Sequence, residues 1–197
     1  MSYILVGLGN PGEEYLQTRH NTGRIVLESF LKTNDFEELT ANKTYKALIS
    51  EGKIGKNKFT IILPETFMNK SGESLRKLIT SAKKAKDLVV VQDDLDLPIG
   101  RFKISFNRGS GGHRGVESII KAIKTEAFIR IRVGISPASV KGVAKKPVGG
   151  EAVEKHILGK FSEKEMATLK KVSKDISEAI KTLAEEGIEV AMGKYNG

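Results

Sequence analysis

The chain has no cysteine, no tryptophan, only three histidines and five prolines, and 6% aromatic residues in all. Without cysteine there are no disulfides and no thiolate nucleophile, which fits a reducing compartment. His20, His113 and His156 are far apart and lack a spacing such as His-Glu-x-x-His, so a zinc site is not expected, nor any other metal. No apolar run approaches membrane-spanning length. The first apolar run starts at Tyr3, which leaves no room for a secretory leader and makes a cytoplasmic location the expectation. Repeats and Gly/Ser linkers are also missing, so one domain over residues 1–197 is expected.

What is present is an ordinary soluble composition, 39% hydrophobic and 29% charged, in 197 residues, enough for a substantial core. The net charge is +9, from 33 Lys and Arg against 24 Asp and Glu. Two readings stand side by side: a polyanionic partner, nucleic acid first, or simply Lys-rich solvated helices. Arg101, Lys103, Arg108, Arg114, Arg130 and Arg132 lie near a glycine-rich middle rather than in a tail.

Strands and helices interleave. Tyr3–Leu8 reads as a buried strand, followed by a turn at Gly9–Gly12. Asn21 or Thr22 caps a helix carrying Ile25, Val26, Leu27 and Phe30. Ala47–Ile54 and Lys58–Leu63 form a hairpin, with Gly55-Lys56-Asn57 as its turn. A loop from Pro64 to Gly72 leads to a helix with Leu75, Leu78 and Ile79 on one face. Leu88–Val91 is a short central strand ending in a loop from Gln92 to Pro98. Arg101–Phe106 and Phe128–Ile135 alternate as half-buried strands, and between them a helix holds Val116, Ile119, Ile120 and Ile123 inward. Residues 136–150 have no period and read as a mobile loop. Ser162 and Glu165 form the capping box of a long final helix, with Phe161 and Met166 as a staple and Leu169, Val172, Ile176, Ile180 and Leu183 inward. The fold class is α/β, a single domain with a twisted mixed sheet flanked by helices.

The segment Gly7-Leu8-Gly9-Asn10-Pro11-Gly12 satisfies the Gly-x-Gly-x-x-Gly pattern of dinucleotide-binding folds. That pattern has meaning only where a helix begins inside it, facing the pyrophosphate. Here Pro11-Gly12 breaks the chain, and helical apolar spacing returns only after His20. Nucleotide chemistry is therefore disfavoured and no cofactor is expected.

The strand ends converge instead on Asn10, His20, Asn69 and Asp93. A histidine beside a carboxylate is a workable general base, and carboxamides orient water or substrate and stabilise an oxyanion. No serine stands in a Gly-x-Ser-x-Gly elbow, so a covalent acyl-enzyme is disfavoured. The chemistry suggested is water attack on a carbonyl without a metal. Each residue also has a plainer reading. His20 and Asn69 are possible helix caps, Asn10 before Pro11 is a common turn pair, and Asp93, Asp94 and Asp96 suit a turn before Pro98.

Longer motifs add a resemblance. Gly7–Gly12, Tyr15, Thr18-Arg19-His20-Asn21-Thr22-Gly23, Pro64-Glu65-Thr66-Phe67-Met68-Asn69-Lys70-Ser71-Gly72, Asp93-Asp94-Leu95-Asp96-Leu97-Pro98, Gly109-Ser110-Gly111-Gly112-His113 and Arg130–Ile135 together resemble bacterial peptidyl-tRNA hydrolase, in that family's order over nearly the whole chain. The resemblance implies a monomeric cytoplasmic enzyme that cleaves the ester between a peptide and tRNA. Its partner is then the CCA end and acceptor stem of peptidyl-tRNA, with no membrane and no obligate protein partner. It implies His20 as the base, Asp93 as its orienter, and Asn10 as a selector of substrates with a blocked amino group. Asn69 falls near the ester and terminal nucleotide, with Tyr15, Phe67 and Met68 shaping the adjoining wall. Arg132 matches an arginine that holds tRNA phosphate, and residues 136–150 match a mobile lid. Two departures stand out. Arg114 replaces a common Asn and adds charge and length while removing an acceptor, so it reads either as a contact to phosphate or peptide carbonyl or as a solvent-facing side chain. Ser105 stands where Lys is frequent. The alternative function is a non-hydrolytic RNA-binding relative acting in RNA processing.

Overall fold

The computed structural model describes residues 1–140 and 142–197. In chain order its regular elements are β1 (Ser2–Gly7), α1 (Thr22–Thr33), β2 (Thr40–Asn42), β3 (Ala47–Ile54), β4 (Asn57–Pro64), α2 (Ala82–Ala85), β5 (Leu88–Pro98), β6 (Phe102–Phe106), α3 (Arg114–Ile123), β7 (Ile129–Ser136), α4 (Gly150–Leu158), α5 (Glu163–Glu186) and α6 (Ile188–Tyr195), with short 3₁₀ turns at Glu13–Tyr15, Arg19–Asn21 and Met68–Ser74. The seven strands form one mixed sheet in the order β2-β3-β4-β1-β5-β7-β6. The central pairs β4–β1, β1–β5 and β5–β7 are parallel, and the flanking pairs are antiparallel.

Alternation along the strands sends side chains to two cores. Leu5, Val89, Val91, Ile131 and Val133 pack with α1 and α5 through Val26, Leu27, Phe30, Leu169, Ile176 and Ile180. Val6, Leu8, Ile62, Leu88 and Val90 pack with Met68, Leu75, Ile79, Val116 and Ile119 on the other face. Parallel neighbours carry all their carboxyl ends to one rim, which is where the residues after β1, β4 and β5 meet.

Glycine serves close packing here. A Cβ on Gly7 would lie 2.6 Å from the carbonyl oxygen of Gly23, and one on Gly23 would strike the backbone of Leu8 and Val91. Because both are glycine, the start of α1 lies directly against β1 and β5. The turn after β1 contains no helix until Thr22 apart from 3₁₀ turns, which removes the helix N-terminus a dinucleotide would need.

Some local expectations are corrected. Residues 75–79 do not form a regular helix. Gly72 lets the 3₁₀ turn press on the α3 backbone at Ser118, and the following amides alternate between i−3 and i−4 acceptors. β5 does not stop at Val91 but runs to Pro98, because Asp93 and Asp94 pair with Val133 and Gly134 of β7. The Asn21 side chain caps no helix. The region read as a loop to residue 150 ends where α4 begins, at Gly150. The capping box of α5 is formed as expected, with Glu165 N–H donating to Ser162 Oγ and Ser162 N–H to Glu165.

Candidate active site

Val91 and Asp93 point to the α1 side of β5 by strand periodicity. Asp93 there is 3% exposed and lies between two imidazoles. His20, 6% exposed in the 3₁₀ turn before α1, places Nδ1 at 3.0 and 3.1 Å from the two carboxylate oxygens. His113, immediately before α3, places Nε2 at 2.9 Å from Oδ1.

The network fixes the tautomers. His113 Nδ1 accepts the backbone N–H groups of Gly115 and Val116, so its proton sits on Nε2 and is donated to Asp93. His20 donates Nδ1–H to the same carboxylate. Its Nε2 has no hydrogen bond to a described residue and keeps a lone pair for a proton. Burial alone would lower the His20 pKa, but the Asp93 charge and hydrogen bond outweigh burial, and the result lies above the ordinary 6.5. The charge of Arg114 opposes that rise. Burial would likewise raise Asp93, yet the imidazoles of His20 and His113 hold its carboxyl well below the usual carboxylate range. The pair therefore keeps a carboxylate against a strengthened base.

Sequence distance had separated His20 from His113, whereas the fold brings their rings to 5.0 Å between centroids. With Asp93 they bring three donors within 4.8 Å. Those donors are already spent on one another through hydrogen bonds to the shared carboxylate.

Asn10 is fixed by a second network. Its N–H donates to Asn21 Oδ1 at 2.8 Å, and Asn21 Nδ2 donates to its carbonyl at 2.9 Å. Asn21 is 1% exposed and so serves entirely as a clamp on Asn10. Asn10 Oδ1 accepts from Met68 N–H at 2.8 Å, which joins the end of β1 to the turn after β4. The Asn10 amide nitrogen is left without a described partner and remains available to donate. Arg24, buried in α1, supports the same rim by donating to Pro64 O and Glu65.

The other expected residues divide. Met68 is buried in the second core, against the start of α3 at Gly115. Phe67 is 59% exposed beside it, Asn69 is exposed, and Tyr15 is half-buried. Arg114 and Arg132 line a cavity of about 1170 Å³ together with His20 and Asp93. Arg114 forms no ion pair with a described residue, whereas Arg132 Nε donates to Asp94. Lys141, within the expected lid, lies outside the described residues. Elsewhere in that stretch Ala138 bridges Ala144, and Lys146 pairs with Asp96. His113 and Asn21 were missed as functional residues, although both stand in motifs quoted from the sequence. Only the geometry reveals that they hold Asp93 and Asn10.

A buried carboxylate orienting an imidazole, at the carboxyl rim of parallel strands and beside the open Asn10 amide, is an arrangement on an α/β fold that can draw a proton from water. The comparisons name the family. The family model for peptidyl-tRNA hydrolase matches residues 4–197, and the chain belongs to that family. It is 39% identical to a peptidyl-tRNA hydrolase of Alkaliphilus oremlandii, over 99% of this chain and 100% of that protein. It is 38% identical to one of Caldanaerobacter subterraneus, with the same coverage. The crystal structure of a peptidyl-tRNA hydrolase complexed with N-propanol superposes with a TM-score of 0.87 at 30% identity, covering 99% of this chain and 94% of that one. Among the described residues, no helix is long and apolar enough to cross a membrane.

Proposed function

We propose that this protein hydrolyses the ester joining a peptide, or an N-blocked amino acid, to the 3′ end of tRNA. The observation that carries this reading is Asp93 held between His20 and His113 with His20 Nε2 left free. His20 Nε2 takes a proton from water as the water oxygen attacks the ester carbonyl. The imidazolium returns that proton to the leaving ribose oxygen, giving a peptide carboxylate and a tRNA 3′-hydroxyl. The Asn10 amide donates to an acceptor on the peptide near its blocked amino group.

Tyr15, Phe67 and Asn69 meet the exposed bases and edges of the CCA end, with Met68 holding the turn from below. Arg132 takes a phosphate after exchanging Asp94 for it, and the net charge of +9 steers the RNA. Arg114 contacts a phosphate or the peptide's carbonyl. The protein works in the cytoplasm as a monomer and a single domain, with residues 136–150 as its lid. The family relationship gives no support to the RNA-processing alternative.

Cleavage of N-acetyl-aminoacyl-tRNA in the presence of a chelator tests the reading. His20→Ala should slow it by about 10²–10⁴-fold, the usual contribution of a general base. No cleavage by the wild type, or undiminished cleavage by the variant, would overturn it. Arg114→Asn should weaken substrate affinity and its salt dependence, and unchanged values of both would remove Arg114 from the site.

A further inference from the structure

His20 sits in a 3₁₀ turn of three residues, Arg19–Asn21, that runs directly into α1. A turn this short takes its position from what it is fastened to. Asp93 holds the imidazole from the side of β5. Arg19, the residue before it, fastens the turn to the connection between α4 and α5. Arg19 Nη2 donates to both carboxylate oxygens of Glu165, at 3.0 and 2.9 Å. Nη1 reaches the carbonyl oxygen of His156 near the end of α4, at 3.5 Å. The guanidinium carbon lies 5.5 Å from the centre of the Phe161 ring. The backbone makes the same junction: Arg19 N–H donates to Gly159 O, Phe161 N–H donates to Gln17 O, and Thr18 bridges Lys160.

Ion pairs on an open surface contribute little, but this pair is of another kind. Its side chains are 14% and 23% exposed, and the fork donates to both oxygens, which fixes direction as well as distance. The same carboxylate accepts Ser162 N–H at 2.7 Å in the capping box, so Glu165 is itself anchored to the start of α5. Burial alone would raise the Glu165 pKa, but the bonds from Ser162 and Arg19 outweigh it and hold the carboxyl below its ordinary 4.5. Both partners are therefore charged at neutral pH. Arg19 does not line the cavity that holds His20 and Asp93. The charges that act on His20 are those of Asp93 and Arg114, so Arg19 reaches the imidazole through the backbone and not through its field.

We infer that Arg19 is a positioning residue for the reaction: its fork on Glu165 holds the His20 turn so that Nδ1 stays on the Asp93 carboxylate and Nε2 stays open to the cavity. This rests on the peptidyl-tRNA reading, in which His20 is the base. The Nδ1 contacts of 3.0 and 3.1 Å leave little slack, because a displacement of about 0.5 Å takes a hydrogen bond out of its range. A shift of about 1 Å in a reacting group costs about 10²-fold in rate.

The test combines steady-state cleavage of N-acetyl-aminoacyl-tRNA with an NMR titration of the His20 imidazole, in wild type, Arg19→Met, Arg19→Lys and Glu165→Gln, with thermal melting of each. Arg19→Met keeps an unbranched side chain and removes the fork. Its kcat should fall about 10- to 100-fold, with KM changed by less than about twofold because substrate contacts are untouched. Its His20 titration should move to lower pH, since the Asp93 contact that raises the pKa is loosened. Arg19→Lys keeps the charge without the fork and should recover part of kcat. Glu165→Gln keeps a capping box but not the ion pair, and should show a smaller fall of the same kind. It carries the test if Arg19→Met does not fold. Unchanged kcat and an unchanged His20 titration in the folded variants, even with a lowered Tm, would make the pair a scaffold tie and overturn the inference. A loss confined to KM would make Arg19 a substrate contact and overturn it too. The titration needs no substrate. Failure of the wild type to cleave would therefore reject the proposed reaction, while the His20 shift would still decide whether Arg19 holds the imidazole.

Discussion

The two ends of the large cavity are built on opposite plans. At the rim after β1 and β5 the polar groups are largely satisfied within the protein. Asp93 holds two imidazoles, His113 also caps α3, and Asn21 meets both backbone groups of Asn10. On the face formed by β5, β6 and β7, Arg132 is paired with Asp94 but other polar groups are left open: Arg130 has no hydrogen bond or ion pair to a described residue, and Ser105 Oγ and Gln92 Oε1 are buried without one. Networks that are satisfied internally hold geometry, which a proton transfer needs. Groups left unsatisfied cost stability instead.

The contrast predicts where substitutions act. The largest effect belongs to the satisfied end. Asp93→Asn removes the charge that orients and strengthens His20, and single-turnover cleavage should fall by about 10²–10⁴-fold. The change should also destabilise the fold in a pH-dependent way. The folded carboxyl titrates below its ordinary 3.8, so its stabilising contribution is present above about pH 4 and is lost as pH falls further. Melting of wild type and variant at neutral and acid pH checks this, and a gap in Tm that does not shrink on acidification would contradict it.

A smaller effect is expected one step back. Asn21→Asp still accepts the Asn10 N–H but cannot donate to its carbonyl, so the clamp on Asn10 is half lost. A fall of about tenfold in kcat/KM is expected, the loss of roughly one hydrogen bond. Preference for N-acetyl-aminoacyl-tRNA over free aminoacyl-tRNA should narrow with it. Unchanged preference would make Asn21 a purely structural residue. The smallest effect on stability belongs to Arg130→Met, which removes a charge that makes no hydrogen bond or ion pair with a described residue.

The same contrast marks what could be read from the sequence. Apolar periodicity revealed β1, the β3–β4 hairpin, the core of β5, α1, α3 and α5, and the Ser162–Glu165 box gave the start of α5. It failed where polar residues continue regular structure. Asp93 and Asp94 resemble a turn but belong to β5, because β7 supplies their ladder. Leu75 and Ile79 have helical spacing but sit in a tight turn that Gly72 presses against α3. The short β2 and α6 left no clear period.

At the site, Asn10 and Asp93 were legible because each follows an apolar run, and His20 because the loop from the first strand carries it to the same rim. His113 and Asn21 were not, because their partners lie 20 and 11 residues away and only the fold brings them together. Arg130 lies in a strand read as half-buried, and it is 5% exposed.

The central claim is that Asp93 tunes His20 as the base. The pH dependence of chemistry-limited cleavage tests it most directly, in wild type and in Asp93→Asn. Because the His20 pKa is raised by Asp93, wild-type activity should fall as pH drops through an inflection above 6.5. In the variant only burial and Arg114 act on His20, so the residual activity should show its inflection below that value. A flat acid limb in the wild type, or the same inflection in both proteins, would contradict the account.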